Sequence, residues 1–392
     1  MELARLQVEA GWHRRRWCPV TTTLPLDAQI DPKELALLDA STGAQVPLQA
    51  WRQADGSMGL VWLVDELDPH QMASYRLVKG ERAADGGGGV VLTEAAPGEL
   101  RVAVDGEHLT TYHYGPDVVR PYLYPVLAQG GVGVTRDWPM VPDAPGDSRD
   151  HPHHKGIYTA HGSVNGVDNW SEEPGHGRQV HRAFARVYSG PVAGGFTQEL
   201  EWVDAAGAPN MTETRRLTFY RTPLGLRLFD YAVTLHASLG PVTLGDTKEG
   251  GLISVRVASS MDATGAPDGG RFENSVGSVL EDEAWGKRAS WCDYAGPTRA
   301  GRRGVCFMDH LENPRYPTYW HVRNYGLMTA NCFGLHDFTG DPDRRADLVL
   351  PAGQSLGWRW RVVVHAGDAQ AASLVERYQD YVHPPRVSVA EG

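Results

Sequence analysis

The densest polar stretch of the chain, residues 147–170, carries His151, His153, His154 and His161, four of the sixteen histidines within eleven residues. Imidazoles at that density suit two kinds of chemistry near neutral pH, proton transfer and metal ligation. In an extended chain His151, His153 and His161 share one parity, so the spacing predicts three rings on one side. With no cysteine nearby, that set is a candidate for a divalent metal of the open, His/carboxylate kind. His153, His154 and His161 are equally candidates for acid and base, and Asp150, Lys155, Asn165 and Trp170 around them for substrate binding.

Two further segments carry chemistry. Residues 245–257 place Asp246, Lys248, Glu249 and Arg256 against an apolar strand, and Gly250-Gly251 allows a bulge or the close approach of a ligand. Asp246 is a candidate binding residue, Glu249 an alternative base, and Lys248 a cation for a developing oxyanion. In residues 316–334 a strand would put the candidate acid/base His321 on one face with the candidate binding residues Arg323 and Tyr325, and Asn331 follows. Polar groups interleaved with aromatic rings suit a sugar, whose C–H faces stack on rings while Arg, His and Asn bind its hydroxyls.

A chain of 392 residues is long enough to bury a core without disulfides or structural metal. Gly and Pro together number 71, well above average usage, and their spread marks many turns. The formal net charge is −11 with no basic cluster, which argues against nucleic acid and against an anionic membrane surface as partner. No apolar run approaches the ~18 residues needed to span a bilayer. Four scattered cysteines and a start without an apolar core point to the cytoplasm. P-loop, GxGxxG and HExxH signatures are missing, and Gly353-Gln-Ser-Leu-Gly357 has GxSxG spacing but runs into the alternating strand 356–364 rather than a strand-to-helix elbow, which disfavours a serine hydrolase, an NTPase, a dinucleotide enzyme and a zincin, and names no cofactor beyond the candidate metal.

Short alternating segments bounded by Pro, Asp and Gly predict an all-β protein. Residues 1–80 read as a small β-sandwich domain, 81–89 as a Gly-rich linker and 90–392 as a large antiparallel β-sandwich bearing the site on one sheet's concave face. In residues 358–364, Trp358, Trp360, Val362 and Val364 share one face of a strand. Asp368 is placed to cap a C-terminal helix with Ala371, Leu374, Val375, Tyr378 and Val382 at helical spacing.

Taken together, Asp150-His-Pro-His-His-Lys-Gly156, Asn165-Gly-Val-Asp-Asn-Trp170, Gly245-Asp-Thr-Lys-Glu-Gly250 and Trp320-His-Val-Arg-Asn-Tyr-Gly326 with Ala330-Asn331 resemble the bacterial PmoA-like family of poorly characterised proteins. Arg120-Pro-Tyr-Leu-Tyr-Pro125 and Trp291-Cys-Asp-Tyr294 fit it as well. The resemblance spans roughly residues 90–365 and implies a galactose-mutarotase-like β-supersandwich in a sugar-catabolic setting. Asn324 and Cys332 depart from the family, which often has Asp and Pro at those places. The expected function is cleavage of a glycoside, in one version a 3-keto-glycoside, by histidine acid/base chemistry as a lyase or hydrolase. An aldose mutarotase or epimerase on the same fold is the alternative, and a non-catalytic carbohydrate-binding protein a third.

Overall fold

Strand Ser355–Ala366 shows how the alternation builds the fold: Trp358, Trp360, Val362 and Val364 enter one core, while Arg361, Val363 and His365 face the other way. A computed structural model describes residues 1–80, 88–223, 225–265 and 268–390. The chain is all-β, in antiparallel sheets with a few short helices.

The large unit is two sheets packed face to face. One runs in the order Lys287–Arg288, Tyr319–Val322, Leu327–Ala330, Gly250–Arg256, Ile157–Val164, Tyr122–Ala128, Glu107–His113, Glu99–Val104, Val90–Ala96, with shorter strands alongside. The other runs Arg178–Tyr188, Ala193–Val203, Pro209–Tyr220, Leu226–His236, Ser355–Ala366, Gly301–Asp309, Trp291–Thr298, Arg271–Asn274. Ile157, Val255 and Trp320 from the first meet Phe219, Phe229 and Val362 from the second in one core. A buried ion pair within one strand faces this core: Arg215 Nε donates to Glu213 at 2.7 Å and its Nη2 to Gln179 at 2.9 Å. Gln179 in turn donates to the carbonyl of Thr159, fixing strand Ile157–Val164 from below.

The N-terminal sandwich sets a five-stranded sheet over the three strands Arg15–Leu24, Met58–Leu67 and Gln49–Arg52, around Leu6, Val20, Leu37, Trp62 and Leu77. Its outermost strand is Arg386–Val389, paired with Glu2–Glu9, so the end of the chain returns to residues 1–80 and covers an edge that would otherwise be open. Of the expected linker, residues 81–87 lie outside the described residues. Gly89 is described and donates its N–H to Asp105 at 2.9 Å.

The terminal helix is Leu374–Val382, later than Asp368 suggests. Asp368 does cap, accepting from the N–H of Ala371 at 2.9 Å, but Ser373 at φ +53° breaks that turn from the helix. Val375 faces solvent while Leu374, Tyr378 and Val382 are buried.

Candidate functional site

Cross-strand register carries one line of outward-facing side chains over the first large sheet: His321 opposite Thr329, Thr329 opposite Ser254, Ser254 opposite Tyr158, Tyr158 opposite Tyr122 and Tyr122 opposite His113. Their neighbours Trp320, Val322, Val255 and Ile157 point into the core, so alternation alone puts this line on the outer face. Loops of residues 134–156 and 165–177 fold over it.

Buried arginines hold those loops. Arg136 donates to the carbonyls of Asp150 at 2.8 Å and His151 at 2.9 Å, and Arg120 to those of His153 at 3.1 Å and Trp170 at 2.7 Å. Asp150 is the hub: its Oδ1 accepts from Arg136 at 2.6 Å, Arg256 at 2.8 Å and Ser148 at 3.1 Å, and its Oδ2 lies 3.1 Å from His151 Nδ1. Partial burial opposes the Asp150 charge, but the Arg256 guanidinium and hydrogen bonds from His151 and Ser148 hold the carboxyl below its usual range. Burial, with Arg256 close by, brings the Arg136 guanidinium down to about 10.

Above this frame His151 sits in left-handed backbone at φ +47°, a strained conformation for a non-glycine residue. Its ring lies near-parallel to those of His154, centroids 4.8 Å apart, and Tyr325, 5.0 Å apart. His153 meets His154 edge-on at 4.4 Å, and Trp170 closes the cluster against His154 and Tyr158. Burial, reinforced by Arg120 and His151, brings His153 down to about 3. Burial together with His153 and Arg256 lowers His154 well below the ordinary imidazole value. His154 is 1% exposed, and its Nδ1 lies 3.4 Å from the Arg256 donor, which assigns the proton to Nε2. That Nε2 and the Tyr158 hydroxyl are both buried without a hydrogen-bond partner. Two such groups beside one indole call for a ligand or a water.

His321, 2% exposed, donates from Nδ1 to the carbonyl of Lys248 at 2.6 Å, which leaves Nε2 as the lone-pair nitrogen. Burial lowers its pKa. The Glu249 carboxylate, 43% exposed and 3.0 Å from Lys248 Nζ, acts electrostatically on His321, Tyr158 and Tyr325 alike. Arg256 and Arg323 both lie over the Tyr325 ring, at 4.6 and 5.7 Å, and Arg323 is 2.9 Å from Glu281. Arg323 and Tyr325 belong to the turn closed by Gly326 N–H on Arg323 O at 3.0 Å, because strand Tyr319–Val322 ends first.

The structure therefore brings together His151, His153, His154, Asp150, Trp170, Tyr325 and Arg323, while His321 with Lys248 and Glu249 forms a second group on the same face, three strands across the sheet from Tyr158. It leaves out His161, which is fully buried on the core side, with Nε2 3.1 Å from the Gly245 carbonyl and its ring against Phe333. The parity argument fails because His151 and Gly156 both take left-handed backbone, and a Cβ at Gly156 would strike the Leu123 carbonyl at 2.0 Å. His151, His153 and His161 thus do not converge, and among the described residues no group of three or more His, Cys, Asp or Glu is arranged to hold a metal ion.

Four other candidates serve the scaffold. Asn165 is the φ +51° turn residue of a hairpin and accepts from Thr243 N–H at 2.7 Å. Lys155 gives its ammonium to both oxygens of Glu172 at 2.8 Å. Asn331 donates to the carbonyls of Thr247 and Lys248 at 3.0 Å and so sets the loop that carries His321's acceptor. Asp246 is buried and hydrogen-bonded to His336 and to the N–H of Ala346. Arg136, Tyr158 and His336 were not singled out as site residues by sequence. Tyr158 carries a legible signal, its place on an alternating strand opposite Ser254, whereas Arg136 and His336 act through contacts 14 to 90 residues distant.

No helix of the described residues is long and apolar enough to cross a membrane. Comparison with solved structures finds a glycosyl hydrolase family 38 protein from Enterococcus faecalis (TM-score 0.44, 8% identity) and an α-mannosidase from Enterococcus faecalis V583 (TM-score 0.43, 9% identity). Each alignment covers 99% of this chain, but this chain spans about half of theirs, 47% and 46%, and likeness at that level carries no functional argument. No curated protein matches. Nothing in these comparisons supports the PmoA-like name. Residues 99–379 match the model of a family of unknown function, DUF6807, and the chain belongs to that family.

Proposed function

We propose that this protein cleaves a glycoside by histidine-based proton transfer, acting on a sugar already oxidised to the ketone at C3. The observation that carries the reading is His321: Nδ1–H tied to a backbone carbonyl, Nε2 left as a base, and a lowered pKa that keeps the ring neutral. His321 Nε2 takes the C2 proton, the C2–H pair forms the C2=C3 enolate, and the charge rests on O3. The C3=O bond then re-forms, C1=C2 forms, and the C1–O bond breaks with its electrons on the aglycone oxygen, which takes up a proton. No oxidant or reductant is needed. Arg323 beside Tyr325 is the cation for O3, with Arg256 buried behind the same ring, and His151, backed by Asp150, is the acid for the leaving oxygen.

The test is incubation with 4-nitrophenyl glycosides, their 3-keto counterparts and the free aldoses in D2O, reading nitrophenol release, anomer exchange of the aldoses, and deuterium at C2 of the recovered 3-keto substrate. Release from the keto substrates, abolished in His321→Asn, is the expected result. Anomer exchange without release would replace this reading by mutarotation, and neither release nor exchange would leave only a binding protein.

A further inference from the structure

A cavity of about 930 Å³ lies away from the histidine cluster. It lies between the N-terminal sandwich and the outer face of the second large sheet, and falls within the about 300–1,000 Å³ typical of small-molecule sites. The cleft has a fixed shape: Gln49 accepts from the N–H of Ala193 at 3.0 Å, and Arg15 donates to Asp380 at 3.1 Å and to the His383 carbonyl at 2.7 Å.

Its two walls differ in chemistry. On the N-terminal side Trp51 lies flat on its neighbouring strand, since a Cβ at Gly59 would fall 2.4 Å from the indole Cε2. Thr21 and Thr23 flank it on the same sheet face and also line the cleft. On the other side Arg186, Thr197 and Arg216 stand abreast on three adjacent strands. Every carboxylate lining the cleft already has an arginine: Asp230 with Arg361 at 2.7 Å, Glu312 with Arg359, Asp380 with Arg15. Among the described residues Arg186 and Arg216 are in no ion pair, and Arg186 merely lies over the Tyr188 ring at 4.5 Å. The cleft therefore offers a half-buried aromatic ring opposite two uncompensated guanidiniums, with hydroxyl donors between. An indole takes the C–H face of a pyranose, and a guanidinium takes a carboxylate in two parallel hydrogen bonds.

We propose that this cleft is a second binding site, distinct from the histidine face, for an acidic saccharide whose uronate carboxylates meet Arg186 and Arg216 while a ring stacks on Trp51. It stands whether or not the histidine face is catalytic. Titration of the whole protein with a galacturonate tetramer and with maltotetraose, followed by calorimetry and tryptophan fluorescence, tests it. The uronate is expected to bind, with affinity falling as salt rises, and maltotetraose is not. Arg186→Gln/Arg216→Gln and Trp51→Ala should each weaken binding at least ten-fold, and His321→Asn should leave it unchanged. Since Arg186 and Arg216 are exposed, the double variant tests the idea even if Trp51→Ala misfolds. Failure of the uronate to bind, equal binding of maltotetraose, indifference to the arginine pair or loss in His321→Asn would each overturn the proposal.

Discussion

The two outer faces of the large sandwich arise from the same alternation and end in different electrostatics. On the first sheet the outward line from His321 to Tyr122 is roofed by loops that buried arginines hold by their carbonyls, so His153, His154 and His321 are desolvated and held below the ordinary imidazole value. On the second sheet no comparable roof forms. Arg186 and Arg216 stay exposed and charged, facing a cleft whose far wall is another domain. Desolvation shifts proton affinities and builds acid/base groups, whereas solvated guanidiniums recognise charge without exchanging protons. On the functions proposed above, the difference puts chemistry on one face and recognition on the other.

The sharpest way to break that assignment is to remove one histidine from each face. His321→Asn should lower kcat by about 100- to 10,000-fold with little change in KM, the usual contribution of a positioned base. His310→Asn, on the cleft of the second face, should leave turnover within about two-fold, since no step requires a proton there. Steady-state kinetics on the 3-keto glycoside checks both, and the reverse ranking would move the chemistry to the cleft.

Asp150→Ala probes the frame beneath the first face. It leaves the fully buried Arg136 and the nearly buried Arg256 without their shared carboxylate. Breaking a fully buried pair costs roughly 3–5 kcal/mol, and because Asp150 is 39% exposed, about 2 kcal/mol is expected in urea unfolding. Turnover should fall with it, because His151 loses the partner that orients its ring.

How much of this was legible in sequence follows from what each feature depends on. Strands such as Ser355–Ala366 were readable because alternation is local, and so was the gathering of His151, His153 and His154, close neighbours in one loop. Strand Ile157–Val164 was hidden inside the polar stretch, since its outward residues are Tyr158 and Ala160 under a roof and its inward Thr159 serves a buried network. The metal triad failed at two left-handed residues, and parity holds only while the backbone stays extended. Arg136, with Asp150 fourteen residues away, and Arg256, more than a hundred away, were out of reach of any local pattern.

Acid sharpens the comparison further. Because His321 is held below the ordinary value of about 6.5, its base form persists as pH falls, and the acid limb of kcat/KM should lie below pH 6.5. Stability follows the same sign. The unfolded chain protonates His153 near pH 6.5 and the folded chain only near 3, so the unfolded state binds more protons in between. The stability contribution is full above pH 6.5 and is lost as pH falls toward about 3. Melting curves of the wild type and His153→Gln between pH 7 and pH 4 should converge as pH falls, and parallel curves would place the ring in solvent.

The smallest effect is expected where the second face is altered. Arg186→Gln/Arg216→Gln removes two exposed charges that make no ion pair, so unfolding free energy should change by no more than about 0.5 kcal/mol and turnover at the histidine face should not change. A stabilisation within that margin would itself be informative. Two like charges flanking Thr197 on adjacent strands repel each other unless a ligand's carboxylates sit between them, and the repulsion is screened by salt. The double variant should therefore gain least over the wild type at high ionic strength, whereas replacing Asp150 should cost stability at any salt, because its guanidinium partners are shielded from solvent ions by the roof.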